Sequence, residues 1–484
     1  MTVARSSAAI TVHKNPGGGA FPVLTRYATG EFNTALESGD IDRDGDHDLV
    51  VTSVDIVLTQ RTVRVLKNNG DGTFASAVIY LVAPRFYGDA KLRDLNGDGN
   101  LDVLLASHPQ STPYDFAVML GSANGNFAAP VVTSVNACAA GKIDAFDLDN
   151  DNDLDVVLTE EGSCAGGNGN RIFIARNNGN ANFTLVTQLN PPVGPSGIGG
   201  GDLNGDGKID LVTGTAAIGV FLGNENLTFQ PIVNSGTRPT VFKIADFNGD
   251  NILDVGLVEF TGQPFGTDRI GISLGAGNGT FALANTQTGS SVDEGLRISS
   301  DIDAADVDRD GDLDLAVSNS ASNDISIFLN NGNGSLQPHQ RYGVGYAPLH
   351  SAAADFNGDG KTDLASSIAL PPGGLTNAVV VLRNIAANNR RARFDFDGDG
   401  KADISVFRPS SGTWYVQQST AGFTGVGFGL STDRLVAADY DGDGKTDVAV
   451  YRSGIWYLQR SQSGFTGVAF GAATDRPVIN AFVP

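Results

Sequence analysis

DIDRDGDHD, residues 40–48, runs straight into the apolar stretch LVVTS at 49–53. Acids stand at alternate positions 1, 3 and 5, a glycine at 6, and a closing acid at 9. The same nine-residue pattern starts again at Asp94, Asp147, Asp202, Asp246, Asp306, Asp355, Asp395 and Asp439, giving nine copies. Carboxylate and carboxamide oxygens spaced this way around a glycine turn are hard ligands at the spacing a Ca²⁺ ion needs.

Position 1 supplies Asp40 and the eight starting residues just named. Position 3 supplies Asp42, Asn96, Asp149, Asn204, Asn248, Asp308, Asn357, Asp397 and Asp441. Position 5 supplies Asp44, Asp98, Asp151, Asp206, Asp250, Asp310, Asp359, Asp399 and Asp443. Position 9 supplies Asp48, Asp102, Asp155, Asp210, Asp254, Asp314, Asp363, Asp403 and Asp447, each expected to close the shell with both oxygens. Position 7 would add a backbone carbonyl. An EF-hand loop closes instead with Glu at position 12 between two helices. Here a Leu- or Val-rich strand follows at once, as in LDVVLTE, so each loop joins two strands. Position 6 is Gly in seven copies and Asn152 and Asn251 in the other two. Asn is the residue that next best tolerates a left-handed backbone.

The chain of 484 residues carries 54 acidic and 32 basic residues, net −22. Positions 1, 3, 5 and 9 of the nine copies hold 32 of those acids, and without them the balance would be +10. The acidity therefore lies in the loops, and up to nine Ca²⁺ would offset most of it. A strongly acidic balance argues against nucleic acid as a partner. No run approaches the length of apolar sequence that a membrane-spanning helix needs. The opening MTVARSSAAITVHK lacks the apolar core of a signal peptide, so export implies a leader already removed or another route. Weak calcium loops need the millimolar calcium of the extracellular space, which makes a secreted or surface-attached protein the expectation.

Gly is 62 of 484 residues, and short apolar runs alternate with Gly/Asn/Asp turns, the pattern of an all-β chain. The copies start 54, 53, 55, 44, 60, 49, 40 and 44 residues apart, and each interval holds about four strand-like segments, which predicts a β-propeller. In the second interval KLRD enters the loop, LDVLLAS leaves it, DFAVMLGS is a third strand, ANGN turns, and FAAPVVTS is a fourth. The turn recurs as NNGDGTF, NNGNANF, GAGNGTF and NNGNGSL, whose Asn and Gly accept the positive φ of tight hairpins. The apolar residue after each turn is expected to anchor the outer strand to the neighbouring blade. At the start, AAITVHKNPGGGAF matches a third strand with its turn and VLTRYATG a fourth, as though they complete a blade begun near the ring's end. Closure of that kind removes open sheet edges.

The last two copies resemble each other more than they resemble the first seven, and NNRRAR at 388–393 separates the groups. The reading is a seven-bladed propeller over residues 1–385, with calcium loops between the first two strands of each blade. Two further calcium-binding β-repeats follow over 386–484, packed on the propeller or continuing it. Cys138 and Cys164 flank the third copy on one sheet edge, where a disulfide or two buried thiols both fit.

The copies ADFNGDNILDVGLV, ADFNGDGKTDLASS and ADYDGDGKTDVAVY resemble FG-GAP/VCBS repeats, the family that includes the propeller of integrin α-subunits. The resemblance spans essentially the whole chain. It implies a calcium-stabilised, extracellular propeller used for adhesion or ligand binding. The literal Phe-Gly and Gly-Ala-Pro signatures are poorly kept, so no integrin-like partner is implied.

Chemistry is harder to find. The five histidines form no zinc-type pair, and His47, at position 8 of the first loop, reads as exposed. GISLG at 271–275 matches Gly-x-Ser-x-Gly but sits in a third strand, not at a strand-to-helix elbow. DGKT at 359 and 443 imitates the end of a phosphate loop without its first glycine. Trp414-Tyr415 and Trp456-Tyr457 stand at matching places in the last two repeats, as packing residues or as a sugar-stacking platform. The loops after the second and fourth strands are longer and varied, and Arg85, Phe86, Tyr87, Tyr114 and Phe265 are their candidate ligand-contacting residues. The expected function is a non-catalytic adhesion or ligand-binding scaffold with structural calcium and a protein or glycan ligand. A lectin or carbohydrate-active enzyme on a calcium propeller is the alternative. The oligomeric state stays open.

Overall fold

In the computed structural model of the chain, the described residues are 23–30, 32–55, 60–82, 88–107, 114–137, 140–160, 170–224, 226–259, 269–283, 285–288, 299–369, 377–384, 394–398, 402–440, 445–472 and 475. Among them there is no helix, and none long and apolar enough to cross a membrane. The chain divides into two compact units, Met1–Val307 with Gly311–Ile385, and Ala386–Pro484 with Asp308–Asp310.

The first unit contains seven antiparallel four-stranded sheets among the described residues. Strand β1 (Val23–Gly30) is the first described strand, and the next four, β2 (Phe32–Gly39), β3 (Asp48–Asp55), β4 (Gln60–Leu66) and β5 (Val78–Val82), form one sheet. Next come β6 (Ala90–Arg93), β7 (Asp102–Ala106), β8 (Tyr114–Met119) and β9 (Val131–Ala137). The third sheet is β10 (Ala140–Phe146), β11 (Asp155–Glu160), β12 (Ile172–Asn177) and β13 (Phe183–Leu189). The fourth is β14 (Gly199–Gly201), β15 (Asp210–Gly214), β16 (Ile218–Phe221) and β17 (Val233–Ser235). The fifth is β18 (Val241–Ala245), β19 (Asp254–Glu259), β20 (Arg269–Ser273) and β21 (Asn285–Thr288). The sixth is β22 (Ser299–Ala305), β23 (Asp314–Asn319), β24 (Asp324–Phe328) and β25 (Gln340–Gly343). The seventh is β26 (Pro348–Ala354), β27 (Asp363–Ile368) and β28 (Asn377–Arg383), whose fourth strand is β1. VLTRYATG thus does complete the last sheet, with Val23 opposite Arg383 and Leu24 opposite Leu382. AAITVHKNPGGGAF lies outside the described residues.

Each sheet is a meander whose second strand is covered on both faces. That is why DVVLTE and DLASSI read as continuous rather than alternating runs, and every residue of β11 and β27 is buried. Fourth strands such as β13 are exposed or half-buried along their length. Seven apolar clusters join each sheet to the next, from Leu105 with Val50 and from Phe116 with Ile143 onward, and the cycle closes where Leu36, Leu49 and Phe74 pack on Ala352, Phe356 and Val381. The residue after each hairpin turn anchors these contacts. Phe74 meets Tyr27 and Phe356 edge-on at 5.3 and 5.7 Å, and Phe183 meets Phe116 at 5.3 Å. β14 consists of glycines because its neighbours come close: a Cβ at Gly199 would lie 2.6 Å from Ile244 and one at Gly200 2.9 Å from the Phe146 ring. The result is a propeller-like all-β unit.

The second unit contains a three-stranded sheet, β29 (Ile404–Arg408), β30 (Thr413–Gln418) and β31 (Gly422–Gly427). A four-stranded sheet follows: β32 (Arg434–Leu435), β33 (Val448–Arg452), β34 (Ile455–Arg460) and β35 (Gly464–Ala469). One face of the first sheet packs on the second through Trp414 with Val448 and Val450, joined by Phe407, Val426, Phe428 and Tyr457.

Candidate metal centres

Eight of the acidic nonapeptides form the connection between the first and second strands of their sheets, the one at 395–403 leads into β29, and two acids of each build the loop. The position 1 carboxylate folds the chain around itself. Asp40 accepts the amides of Asp44 and Gly45 at 3.1 Å each, and Asp147 accepts those of Asp151 and Asn152 at 3.1 and 3.0 Å. Asp94 does the same for Asp98 and Gly99 at 3.2 and 2.7 Å.

The closing acid ties the loop to the rest of the sheet. Asp48 accepts the Ile41 amide at 3.1 Å on one oxygen and the Asn68 amide at 2.8 Å on the other. Asp102 holds Leu95 and Gly121 at 2.9 and 2.7 Å, and Asp155 holds Leu148 and Asn177 at 3.2 and 2.8 Å. Asp210, Asp254 and Asp314 repeat the arrangement with Leu203 and Gly223, Phe247 and Gly275, and Val307 and Asn330. In the second unit Asp403 pairs with the amides of Phe396 and Ser419, and Asp447 with those of Tyr440 and Ser461. One amide comes from position 2 of the loop, the other from the end of the third strand. Every closing acid therefore fixes where three strands meet, a task that its expected role as a ligand did not include. Each oxygen keeps a second lone pair for a cation.

Burial pushes the carboxyls of Asp48, Asp102 and Asp363 up to about 6 and that of Asp155 to about 7, with the loop's other acids adding to the rise and the backbone amides opposing it. Burial likewise raises Asp210 and Asp254. The loops thus hold carboxylates that gain from a nearby positive charge.

Four loops bring three carboxylates together with ligand oxygens within 4.8 Å of one another: Asp40, Asp42 and Asp48; Asp147, Asp149 and Asp151; Asp306, Asp308 and Asp314; and Asp395, Asp397 and Asp403. The Oδ1 atoms of Asp42 and Asp149 are buried and accept no hydrogen bond from protein. An orphaned buried carboxylate oxygen beside two other carboxylates is a donor set that fits a hard divalent cation. Asp399, Asp441 and Asp443 lie outside the described residues.

Two features of the loops were not read from the sequence. Position 6 is left-handed as expected, including Asn152 at φ 70° and Asn251 at φ 64°. Position 4 is left-handed too, where Arg43 has φ 62°, Asn150 59° and Arg309 68°. The recurrence of Gly at position 4 in the other copies was the available signal. The second feature is the Asn that ends several third strands. The Nδ2 of Asn68 donates to Phe356 O at 2.7 Å, of Asn177 to Leu95 O at 2.8 Å, of Asn330 to Phe247 O at 2.6 Å and of Asn384 to Val307 O at 2.7 Å. Each of those carbonyls belongs to position 2 of a neighbouring loop, so this Asn, which begins N-N-G in three of the four cases, links loop to loop.

The other candidates separate cleanly. His47 is exposed, and its carbonyl accepts from Asn68 at 3.0 Å. Ser273 of GISLG is fully buried in β20. Lys361 of DGKT sits 3.8 Å from Asp359 of its own loop. Trp414 is buried and donates to Phe428 O at 2.9 Å, which makes it a packing residue rather than a sugar platform. Tyr114 was expected on a loop, but it is the first residue of β8, opposite Ala137. Its strand propensity extends β8 up to the Ser-Thr-Pro stretch that had marked the loop. Arg85, Phe86, Tyr87 and Phe265, like Cys138 and Cys164, lie outside the described residues.

The first strands of all seven sheets in the first unit line one cavity of about 620 Å³. Its charged groups pair with each other. Lys91 contacts Glu37, Arg93 lies 2.7 Å from Asp144, Lys142 3.4 Å from Asp89, and Lys243 3.0 Å from Asp303. Burial lowers His350, which stands 4.0 Å from Asp301.

Residues 94–158, 163–213, 202–257, 306–366 and 395–450 match the family model of the FG-GAP-like repeat. No curated protein matches the chain. Among solved structures, the chain is similar to an Agrocybe aegerita lectin described as specific for non-reducing terminal N-acetylglucosamine. The identity is 20%, the TM-score 0.45, and the match covers 66% of this chain and 79% of the lectin. It is also similar to BBS1N, crystallised in complex with ARL6DN, at 12% identity and a TM-score of 0.48, over 77% of this chain and 99% of that one.

Proposed function

The chain belongs to the FG-GAP-like repeat family, and we propose that it is an extracellular, non-catalytic scaffold for adhesion or ligand binding, held together by structural calcium. Its first unit is a closed seven-bladed propeller, and the two repeats of its second unit carry calcium loops of the same kind. The observation that carries this reading is the set of converging carboxylates at positions 1 and 3 with position 9 or, in the third loop, position 5, and the buried oxygens of Asp42 and Asp149 left without a hydrogen bond. Asp40, Asp42, Asp44 and Asp48 would hold the ion in the first loop, and the matching residues in the other eight. Calcium, when bound, supplies positive charge to the buried closing carboxylates, beside the Lys67 and Arg176 side chains that already pair with Asp42 and Asp149.

Ligand binding belongs on the face opposite the calcium loops, where the connections after second and fourth strands are long and varied. The paired charges of the central cavity suit a structural lining rather than a reacting centre. A glycan array and a panel of polysaccharides, both presented to the calcium-loaded chain, test the reading. No polysaccharide cleavage and no glycan selectivity are expected. Cleavage would overturn the non-catalytic assignment, and selective glycan capture would replace protein adhesion with sugar binding.

A further inference from the structure

The two sheets of the second unit are near-copies in sequence, yet they are buried differently. In the later sheet, Val448, Val450 and Tyr457 share one face, and the earlier sheet covers it with Trp414, Phe407, Val426 and Phe428. Phe465 on that same face meets the Phe428 ring edge-on at 6.1 Å. The matching face of the earlier sheet carries Ile404, Val406, Tyr415 and Phe423 in the same register. Within the second unit no described residue covers it: Ile404 is 74% and Val406 59% exposed, whereas Val448 and Val450 are 6% and 1% exposed; Phe423 and Phe465, at the margin, are both open.

The covering surface is duplicated as well. Trp414 donates to Phe428 O at 2.9 Å, and its counterpart Trp456 donates to Phe470 O at 3.0 Å. Val468 and Phe470 stand where Val426 and Phe428 stand in the earlier repeat, and they are 46% and 76% exposed. Tyr451 and Leu458 on that side are buried in their own sheet's cluster, so what lies open is the strip of Val468 and Phe470 beside half-buried Trp456. Among its described residues the second unit leaves this strip and the β29–β31 face uncovered. Contiguous exposed apolar surface of this sort marks an interaction site.

A charged pair follows the same logic. Where the chain passes from one sheet to the next, Asp433, directly before β32, takes both Nε and Nη2 of Arg452 at 2.6 Å, and Arg452 lies over the Tyr457 ring. Asp433 is held in place by the Leu430 amide at 2.7 Å, and Asp475, its counterpart after β35, by the Ala472 amide at 2.7 Å. Arg408, the counterpart of Arg452, lies over Tyr415 and donates to its hydroxyl at 3.1 Å. Among the described residues, Arg408 and Asp475 form no ion pair. One repeat thus has the arginine without its aspartate, and the other has the aspartate without its arginine.

We propose that the chain associates head to tail with a second copy of itself. The strip of Val468 and Phe470 in one copy seats on β29–β31 of the next, repeating the contact already made within each chain, and Asp475 of one copy takes Arg408 of the other. The contact is heterologous, so a dimer keeps one free strip and one free face and growth continues beyond it unless the rotation closes a ring.

Sedimentation velocity on the full chain tests this. The wild type is expected to form concentration-dependent species larger than a dimer. Val406→Asp and Phe470→Asp, both at exposed positions, should each be monomeric alone and form a 1:1 dimer when mixed, because each keeps the face the other lacks. Arg408→Asp or Asp475→Arg should weaken association at least about tenfold, and the double variant should restore it. The proposal is overturned by a wild type that stays monomeric up to its solubility limit. It is equally overturned by Phe470→Asp chains that still self-associate, or by a mixture of the two variants that stays monomeric.

Discussion

The first unit and the second are built on the same loop but end with different surroundings. In both, the closing acid binds one amide at position 2 and one at the end of the third strand, as Asp102 does for Leu95 and Gly121 and Asp447 for Tyr440 and Ser461. The loop therefore specifies one sheet and says nothing about what lies beside it. In the first unit every sheet packs on two others, so Leu104 and Val157 are completely buried. In the second there is one inter-sheet contact among the described residues, and equivalent valines differ: Val450 is 1% exposed and Val406 59%. Neighbours are specified by apolar faces, and loops by acids.

Chelation should have the largest effect, and on both units. Seven weak sites, at about 0.4–1.4 kcal/mol each in millimolar calcium, amount to about 3–10 kcal/mol for the first unit. For a unit of its length that is a fall in Tm of about 4–12 °C. Two such sites take only about 1–3 kcal/mol from the second unit, but its shorter length makes the expected fall in Tm similar, and scanning calorimetry with and without chelator should show both. The same carboxylates set a pH dependence. Their folded-state pKa lies above the ordinary 3.8, at about 6 for Asp102 and about 7 for Asp155, so the folded form binds protons more tightly than the unfolded form. This contribution is fully present below about pH 4 and is lost as pH rises through about 6 to 7. The Tm of the metal-free chain should therefore drop across that window, and calcium should flatten the profile.

Breaking one closing acid should be local. Asp102→Ala strands two backbone amides at about 1–3 kcal/mol each, so urea unfolding should show a loss of about 2–6 kcal/mol, with Asp102→Asn milder. Asp447→Ala should move only the second unit's transition. Smaller still, Val450→Ala should cost about 1.5–3 kcal/mol from lost burial, against less than about 0.5 for Val406→Ala, measured in the monomeric Phe470→Asp background. The smallest effect should come from Asn251→Gly, a gain of at most about 1 kcal/mol, because φ 64° favours glycine there.

Much of this was legible because its period is written in side chains. Alternating acids with a glycine at position 6 identify the loop, and VLTRYATG was recognisable as a fourth strand before its partner β28 was known. What stayed hidden depends on partners distant in sequence. Asn68 looks like a turn residue until its side chain is seen on Phe356 O, 288 residues away. Arg43 by itself gives no hint of a positive φ; only the Gly at position 4 of other copies does. Tyr114 was misplaced because Ser-Thr-Pro reads as a loop whichever residue starts the strand. The uncovered face of β29–β31 could not be read at all, since Val406 and Val450 sit in nearly identical local sequence.

The most direct test of the account is calcium stoichiometry, measured by elemental analysis after equilibration in about 1 mM calcium and repeated after chelation. The nine acidic loops predict close to nine ions per chain, released by chelator together with a fall in Tm. Fewer than about four ions per chain, or a melting temperature that chelation leaves unchanged, would contradict it.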